Sequence, residues 1–201
     1  MEFGEVLRRR RMIRSYDMAR PVPPDAIDAV LAAALRAPSA GFTQGISFLV
    51  LSSNAERERF WRLTSDSDTV WLRGMRTAPV LVLVWTSEEA YLDRYAEPDK
   101  GWTDRDPGHW SAPYWFVDAG MASMAALLSA VDQHLGACFF GIPADRIDVV
   151  RETFSVPARQ LSVGVISLGY SAAAPEVRPI TGSPGRRPRK APTDLIHHGV
   201  W

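Results

Sequence analysis

The sequence predicts a single compact domain that contains both α-helices and β-strands. Two aliphatic runs, at 46–51 and 79–85, have the length and composition of strands, and the second is apolar enough to be buried on both faces. Residues 161–170 alternate between the two sides of a third strand, and residues 113–134 hold the longest helical pattern. A chain of 201 residues with 46% hydrophobic residues can bury one core, and no repeat indicates a second domain over 1–201.

Composition excludes several classes of protein. Lys and Arg number 23 and so do Asp and Glu, a balance that argues against a general nucleic-acid-binding surface. The single cysteine, Cys138, cannot form an intrachain disulfide and fits a reducing compartment. No apolar run reaches the roughly 20 residues of a membrane span, and the N-terminus lacks a signal-peptide core. We therefore expect a cytoplasmic protein that binds neither membranes nor nucleic acids.

The first half of the chain alternates helical and extended signals. A short helix should lead from the N-terminus into a group of arginines, and prolines at 21–24 should open a second helix. The predicted buried stripe of that second helix consists of Ile27, Val30, Leu31, Ala34 and Leu35. A small-residue loop at 37–45 precedes the strand at 46–51, and a modest helix should follow over 55–63.

The second half begins with the strand at 79–85 and an acidic segment, predicted as a surface loop over about 86–112. The helix at 113–134 is so rich in apolar and small residues that it should be buried nearly all round, which a second subunit would achieve. Its predicted stripe consists of Val117, Met121, Met124, Leu127, Leu128 and Val131, and Gly136 should end it. A helix over 145–154, the strand at 161–170 and an extended basic tail over about 172–201 complete the chain.

Arginines are concentrated near both ends of the chain. Five lie between positions 8 and 14, and a basic run occupies 186–190. Taken alone, the first group is more often a solvated face than a binding site. Like charges repel unless an anion lies between them, so a fold that gathers both groups would favour a phosphate ligand. With the aromatic residues at 102–115 as a wall or lid, the expected ligand is a flat phosphorylated cofactor.

Four motifs, in order, resemble those of the nitroreductase family of FMN-dependent oxidoreductases. They are RRMIRSY at 10–16, APSAGFTQGI at 37–46, HLGACFFG at 134–141, and LGYS at 168–171 with RKAP at 189–192. The resemblance implies an α+β sandwich around a central, mixed and mostly antiparallel sheet flanked by helices. It also implies an interlocked homodimer with an active site at each end of the interface.

The resemblance also implies residue roles toward FMN. Arg10, Arg11 and Met12 would follow the phosphate and ribityl chain, and Arg187 and Arg189 would close on the phosphate. Arg14 would approach the pyrimidine edge of the flavin, and Phe140 and Gly141 would present backbone groups near flavin N5. Pro38, Ser39 and Gln44 would contact the cofactor, in this family typically from the partner subunit.

Some positions depart from the family pattern. Met12 stands where the family has serine, Phe42 where it has asparagine, and Gly45-Ile46 where it has Pro-Trp. These differences bear on flavin contacts and affinity. The residues expected to meet the substrate are Phe42, Trp110, Tyr114 and Trp115, and for the last three packing inside a lid is an equal alternative.

The function implied by the resemblance is transfer of hydride from NAD(P)H through flavin N5 to an electron-poor acceptor such as a nitroaromatic, quinone or enone. The flavin would carry the chemistry, so no catalytic side chain and no metal are expected. Three alternatives remain at this point: a dedicated dehydrogenase, dehalogenase or flavin-processing enzyme on the same scaffold, a protein that binds flavin without turnover, and a deazaflavin in place of FMN.

Overall fold

A four-stranded antiparallel sheet runs through the centre of the protein in the order β1-β2-β4-β3. Its strands are β1 (Ile46–Leu51), β2 (Val80–Thr86), β3 (Gly136–Phe140) and β4 (Leu161–Gly169). The structure is a computed structural model that describes residues 1–172 and 187–201. A parallel bridge between Met12 and Ala137 adds a short parallel pairing beside β3, in a sheet whose strands are otherwise antiparallel. The sheet is therefore mixed and mostly antiparallel, as predicted.

Helices cover both faces of this sheet and complete an α+β fold. Over the described residues they are α1 (Phe3–Arg9), α2 (Pro24–Leu35), α3 (Asn54–Thr64), α4 (Val70–Met75), α5 (Glu88–Ala96), α6 (Tyr114–Asp132) and α7 (Ile147–Thr153). Helices α2 and α6 pack on one face, while α3, α4 and α7 pack on the other. The short N-terminal helix and the second helix begin and end close to the positions predicted.

Strand β2 forms the centre of the core. Every one of its residues is buried. Successive side chains of a strand point to opposite faces, so Val80, Val82 and Val84 pack toward α2 and α6. Leu81, Leu83 and Trp85 pack toward α3, α4 and α7. The prediction of a central strand buried on both faces is confirmed.

The acidic segment predicted as a loop over 86–112 contains helix α5, and the loop assignment was wrong over that part. Ser87 caps the helix by accepting a hydrogen bond from the Ala90 amide. Glu88 and Glu89 fall in the first turn and Arg94 in the last, where their charges complement the helix dipole. Helix α4 was also missed, because it is only six residues long.

Helix α6 packs mainly through its small residues and leaves several of its large ones exposed. The side facing α2 and the sheet carries Ala119, Ala122, Ser123, Ala126 and Ala130, all buried. The large apolar side chains exposed in one chain are Phe116, Val117, Met121 and Met124. Small side chains allow the helix to approach the sheet closely, so the predicted buried stripe was wrong for Val117, Met121 and Met124. Leu127 is buried in the core as predicted, and Leu128 and Val131 are half-buried. Within one chain, α6 is therefore not buried on nearly all of its sides.

Two further details of the helical predictions need correction. Leu35, assigned to the buried stripe of α2, is 69% exposed because it falls in the last turn, beyond the core. Gly136 does not end α6. Instead, His134 adopts the left-handed conformation after the helix, and Gly136 begins β3.

By length and composition α6 could also cross a membrane, with a mean hydropathy of 1.3. Its small-residue face packs against α2 and the sheet, as expected for the core helix of a soluble protein.

The chain after α1 is fitted tightly against α4. A Cβ atom built on Gly74 would lie 2.2 Å from the carbonyl oxygen of Arg14. Only glycine allows the helix to approach this backbone so closely. The packing of α4 therefore helps to fix the path of the arginine-rich segment.

Replacing Gly74 by alanine tests this packing. We expect Gly74→Ala to lower the free energy of unfolding by about 1–3 kcal/mol, because the added methyl group cannot share space with the Arg14 carbonyl. Gly4→Ala in α1 is the matched control, since the nearest atom there is the flexible end of Arg8 at 3.4 Å. Urea denaturation at one fixed protein concentration measures both variants. A Gly74→Ala protein as stable as the wild type would contradict the close approach.

Candidate active site

The arginine-rich segment lies along the outer edge of β3. Met12 forms a parallel bridge with Ala137, and the Ile13 amide donates a hydrogen bond of 2.8 Å to the Ala137 carbonyl. The Phe139 amide donates to the sulfur of Met12 at 3.5 Å. Residues more than 120 positions apart in the chain, from the first and third motifs, are thereby brought side by side.

Tyr16 fixes the other end of this segment. Its ring is buried, and its hydroxyl donates to the Ile13 carbonyl at 2.7 Å and lies 2.7 Å from the Ser167 hydroxyl. Its amide donates to the Thr77 hydroxyl at 2.8 Å, just after α4. With hydrogen bonds at both ends, the backbone that carries Arg14 has one defined path.

The guanidinium groups on this segment are free to meet an anion. Over residues 1–172 and 187–201, no carboxylate forms an ion pair with Arg10, Arg11 or Arg14. Arg11 donates to backbone carbonyls, and Arg14 makes one long hydrogen bond of 3.4 Å to the Met12 carbonyl. Unpaired guanidiniums gathered on a rigid backbone are a donor set suited to phosphate.

Arg14 lies close enough to β3 for its charge to act on Cys138. Burial raises the pKa of the Cys138 thiol, and the positive charge of Arg14 partly opposes that rise. The thiol stays protonated at neutral pH, whereas a nucleophilic cysteine needs the thiolate. Cys138 is therefore a packing residue, and the effect of Arg14 on the pKa of its thiol indicates that the cation lies near β3.

Beyond the end of β3 the chain opens onto free space. Phe140 stacks on Trp61, with ring centres 5.6 Å apart and planes 11° apart, and meets Trp71 edge to face at 5.6 Å. A Cβ atom on Gly141 would meet nothing within 4 Å. The aromatic stack thus holds a peptide segment that a ligand can approach. Sequence reasoning missed Trp71, because the short helix α4 that carries it was itself missed.

The loop at 37–45 is the second part of the predicted site. Gly41, Phe42 and Gln44 all adopt the left-handed conformation, with φ of 61°, 55° and 55°. The Gln44 amide donates to the Ser39 hydroxyl at 3.0 Å, which closes the turn. The ring of Phe42 is 76% exposed. Ser39 and Gln44 therefore come together, and Phe42 projects outward between them in sequence.

Two helices hold this loop in place. Asp118 of α6 accepts hydrogen bonds from the Ala40 amide and from the hydroxyl of Tyr91, both at 2.8 Å. Arg94 of α5 donates from Nε to the Gly41 carbonyl at 2.8 Å. Sequence reasoning missed all three side chains that hold the loop. The available signal was Asp118 itself, a lone charged residue in the apolar stretch 114–131.

The tryptophan-rich segment packs behind the loop. A Cβ atom on Gly41 would lie 2.7 Å from the ring of Tyr95, so the two are in close contact. Tyr95 packs on Trp102 and Trp110, with ring centres 4.8 and 4.3 Å away, and Trp110 packs on Tyr114 at 5.1 Å. The rings of Tyr95, Trp102, Trp110 and Tyr114 thus form one continuous ring cluster, which contacts the loop at Gly41.

The four residues expected to meet the substrate are therefore in different surroundings. Phe42 is exposed, whereas Trp115 is only 7% exposed and lies within the core. Trp110 and Tyr114 are partly exposed members of the ring cluster. Of the set, Phe42 has the surface to stack on a flat molecule.

A single chain does not join the two parts of the site. The loop at 37–45 leads into β1 at one edge of the sheet, while Met12 and Phe140 lie at the opposite edge, on or beside β3. Three strand spacings separate these edges, which is about 14 Å. Pro38, Ser39 and Gln44 of one chain thus lie apart from the arginine segment of that chain.

The C-terminal arginines are not joined to the N-terminal ones within one chain. Arg187 and Arg189 are exposed, and within the described residues no hydrogen bond or ion pair connects them to residues 1–172. Positions 173–186, including Arg186, lie outside the described residues. Among the residues that are described, no cluster of three or more His, Cys, Asp and Glu is placed to hold a metal ion.

Comparison with known proteins gives consistent results. The family model described as the nitroreductase family matches residues 7–170. A protein of Methanothermobacter thermautotrophicus, provisionally named NADH dehydrogenase/NAD(P)H nitroreductase, is 29% identical over 180 residues, covering 89% of this chain and 82% of that one.

Solved structures share the fold at lower identity. A provisionally named nitroreductase from Exiguobacterium sibiricum, solved in complex with FMN, aligns with a TM-score of 0.76 at 20% identity over 98% of this chain and 97% of that chain. Another from Desulfovibrio desulfuricans, also in complex with FMN, gives 0.70 at 22% over 100% and 98%. Since the family model covers most of the chain and the fold agrees, the protein belongs to the nitroreductase family.

Proposed function

We propose that the protein is an FMN-dependent oxidoreductase that passes hydride from NAD(P)H to an electron-poor acceptor such as a nitroaromatic, quinone or enone. The observation that carries this proposal is the pairing of the arginine-rich segment with β3. It brings guanidinium groups that form no ion pair within the described residues to β3, which ends at Phe140, directly before Gly141. Membership of the nitroreductase family and the FMN complexes of two structural relatives support the same cofactor.

The residues present fit FMN. Arg10 and Arg11 would bind the phosphate, for which unpaired guanidiniums on a fixed backbone are well suited. The open space at Gly141 leaves room for a flat ring system to approach the backbone. Met12 cannot donate the hydrogen bond that a serine would supply, and its sulfur instead accepts from the Phe139 amide.

When bound, FMN supplies the redox chemistry, in which flavin N5 takes up hydride and passes it on. The protein contributes position and charge. Arg14 would place its positive charge at the pyrimidine edge, where negative charge accumulates on reduction. The stack of Phe140 on Trp61 would hold the 140–141 peptide at a fixed distance from the flavin. No acid–base side chain is required for these roles.

A homodimer would complete the site. The loop at 37–45 and the arginine segment lie at opposite edges of the sheet, so Pro38, Ser39 and Gln44 would reach the cofactor bound by a second copy. The exposed apolar side of α6, with Val117 43% exposed, supplies a surface for that copy. Arg187 and Arg189, which are exposed and not joined to residues 1–172 by a hydrogen bond or ion pair, would also close on the phosphate from the partner.

The absorbance of the purified protein is the direct test of this proposal. We expect the flavin bands of FMN, either as isolated or after FMN is added, and loss of the visible bands on anaerobic titration with NADH or NADPH. Reoxidation by a quinone or a nitroaromatic should then restore the bands. A protein that stays colourless after FMN is added would refute the proposal. FMN that binds tightly but is reduced by neither NADH nor NADPH would instead indicate a flavin-binding protein or an enzyme with another electron donor.

Arg10→Gln tests the phosphate site. We expect FMN to bind about tenfold more weakly, because a charge-assisted hydrogen bond contributes about 1.5 kcal/mol or more. The loss should shrink at high salt, where the electrostatic contribution is screened. Arg9→Gln is the matched control, since Arg9 lies in the same cluster but is paired with Glu5 at 3.0 Å. Flavin fluorescence titration measures both dissociation constants. Equal weakening by the two substitutions would show that only the general positive charge matters.

Arg14→Gln tests the role given to Arg14. Removing a positive charge beside the reduced flavin should lower its midpoint potential by about 30 mV, equivalent to about 1.4 kcal/mol for two electrons. Arg14→Lys retains the charge and should remain closer to the wild-type potential. Anaerobic equilibration with a reference dye measures the potential of each variant. A potential for Arg14→Gln equal to or above that of the wild type would rule out this role.

A further inference from the structure

Asp118 is a buried carboxylate for which the proposed chemistry has no use. It is 1% exposed and is the one charged residue in the stretch 114–131 of helix α6. A charge is buried at high cost unless hydrogen bonds compensate for its lost hydration. Here one carboxylate oxygen accepts from both the Ala40 amide and the Tyr91 hydroxyl at 2.8 Å. The compensating contact is therefore made to the loop at 37–45.

The conformation of the loop at 37–45 requires support from the surrounding structure. Phe42 and Gln44 adopt left-handed backbone conformations that cost free energy for residues other than glycine. Such conformations persist only where the surroundings impose them. At the middle of the loop, hydrogen bonds from outside come from Asp118 of α6 and from Arg94 of α5, and Tyr91 of α5 binds the same Asp118 oxygen. At its end, the Gly45 carbonyl accepts hydrogen bonds from the Ser87 amide and the Thr86 hydroxyl.

Arg94 is itself fixed in a way that favours this role. Its two terminal nitrogens bind the two carboxylate oxygens of Asp99 at 2.7 and 2.8 Å, while Nε remains to donate to the Gly41 carbonyl. The bidentate pair orients the guanidinium plane so that Nε points to the loop. Hydrogen bonds from two different side chains, Asp118 and Arg94, thus reach the consecutive residues Ala40 and Gly41.

We propose that Asp118 and Tyr91 are positioning residues for cofactor binding, which act by fixing the loop that carries Ser39 and Gln44. This inference rests on the proposed function, in which that loop contacts FMN. The Tyr91 hydroxyl replaces part of the hydration that the Asp118 carboxylate loses on burial, and it holds the carboxylate toward the Ala40 amide. Fixing the loop before FMN arrives removes an ordering cost that binding would otherwise carry.

Two matched tyrosine substitutions on α5 test the proposal. Tyr91→Phe removes the hydroxyl that binds Asp118, and Tyr95→Phe removes a hydroxyl four residues away that makes no hydrogen bond within the described residues. We expect Tyr91→Phe to raise the FMN dissociation constant about tenfold, as for loss of a hydrogen bond to a charged group. Tyr95→Phe should leave it within about twofold.

A double-mutant cycle separates positioning from general stability. If Asp118 and Tyr91 act through the loop, the effect of Tyr91→Phe on FMN binding should largely disappear in a Gln44→Ala background, because the contact to be positioned is then absent. A merely structural role would give the same fold-change in both backgrounds. Arg94→Lys keeps the charge but loses the Nε–H that donates to the Gly41 carbonyl, and it should show the same coupling to Gln44→Ala. It replaces Tyr91→Phe in the cycle if that variant does not fold.

The two proposals can fail separately. A wild-type protein that binds no FMN would overturn the proposed function and this inference with it. Normal FMN binding by the wild type, with an unchanged dissociation constant for Tyr91→Phe and Arg94→Lys, would overturn the inference alone. Additive effects in the Gln44→Ala background would also overturn it.

Discussion

The pairing of the N-terminal segment with β3 is the contact on which the rest of the site depends. Five arginines within seven residues repel one another, and nothing in their own side chains would hold them at one place. Backbone hydrogen bonds to Ala137 and the buried ring of Tyr16 fix the path of the chain. The close approach of α4 to the Arg14 carbonyl at Gly74 leaves no room for this backbone to shift toward the helix. The backbone thus positions the segment, and within the described residues the guanidiniums of Arg10, Arg11 and Arg14 form no ion pair with a carboxylate.

Helix α6 links the core, the exposed apolar surface and the loop at 37–45. Its alanine side lets it approach the sheet closely, and this displaces its large residues, such as Met121, to the outside. On the same helix Asp118 reaches the loop. In the proposed homodimer, packing of a second copy on α6 and ordering of the loop would influence one another, because the apolar surface and Asp118 lie on the same helix.

Much of the fold could be predicted because its signals are local. The apolar run of β2 and the long pattern of α6 determine their own structure through burial and periodicity. The exposure of Val117, Met121 and Met124 on α6 could not be predicted, because large residues normally mark the buried side of a helix and here mostly small residues face the sheet. Pairing of the arginine segment with β3, and of Asp118 with Ala40, depends on contacts across the chain that no spacing in the sequence expresses. For the same reason the sequence could suggest that both arginine groups meet one phosphate, but not whether one chain suffices.

Two of the departures from the family pattern, Met12 and Phe42, share a physical consequence. Met12 turns its sulfur to the Phe139 amide and so stabilises the pairing with β3 without offering a donor to a ligand. Phe42 replaces an amide side chain by a ring that stands largely in solvent, on a backbone held in an unfavourable conformation. Both changes remove hydrogen-bonding capacity and add apolar surface. Under the proposed function, such a site would hold FMN mainly through charge at the phosphate and would select its second substrate by the flat, apolar area that can stack on Phe42.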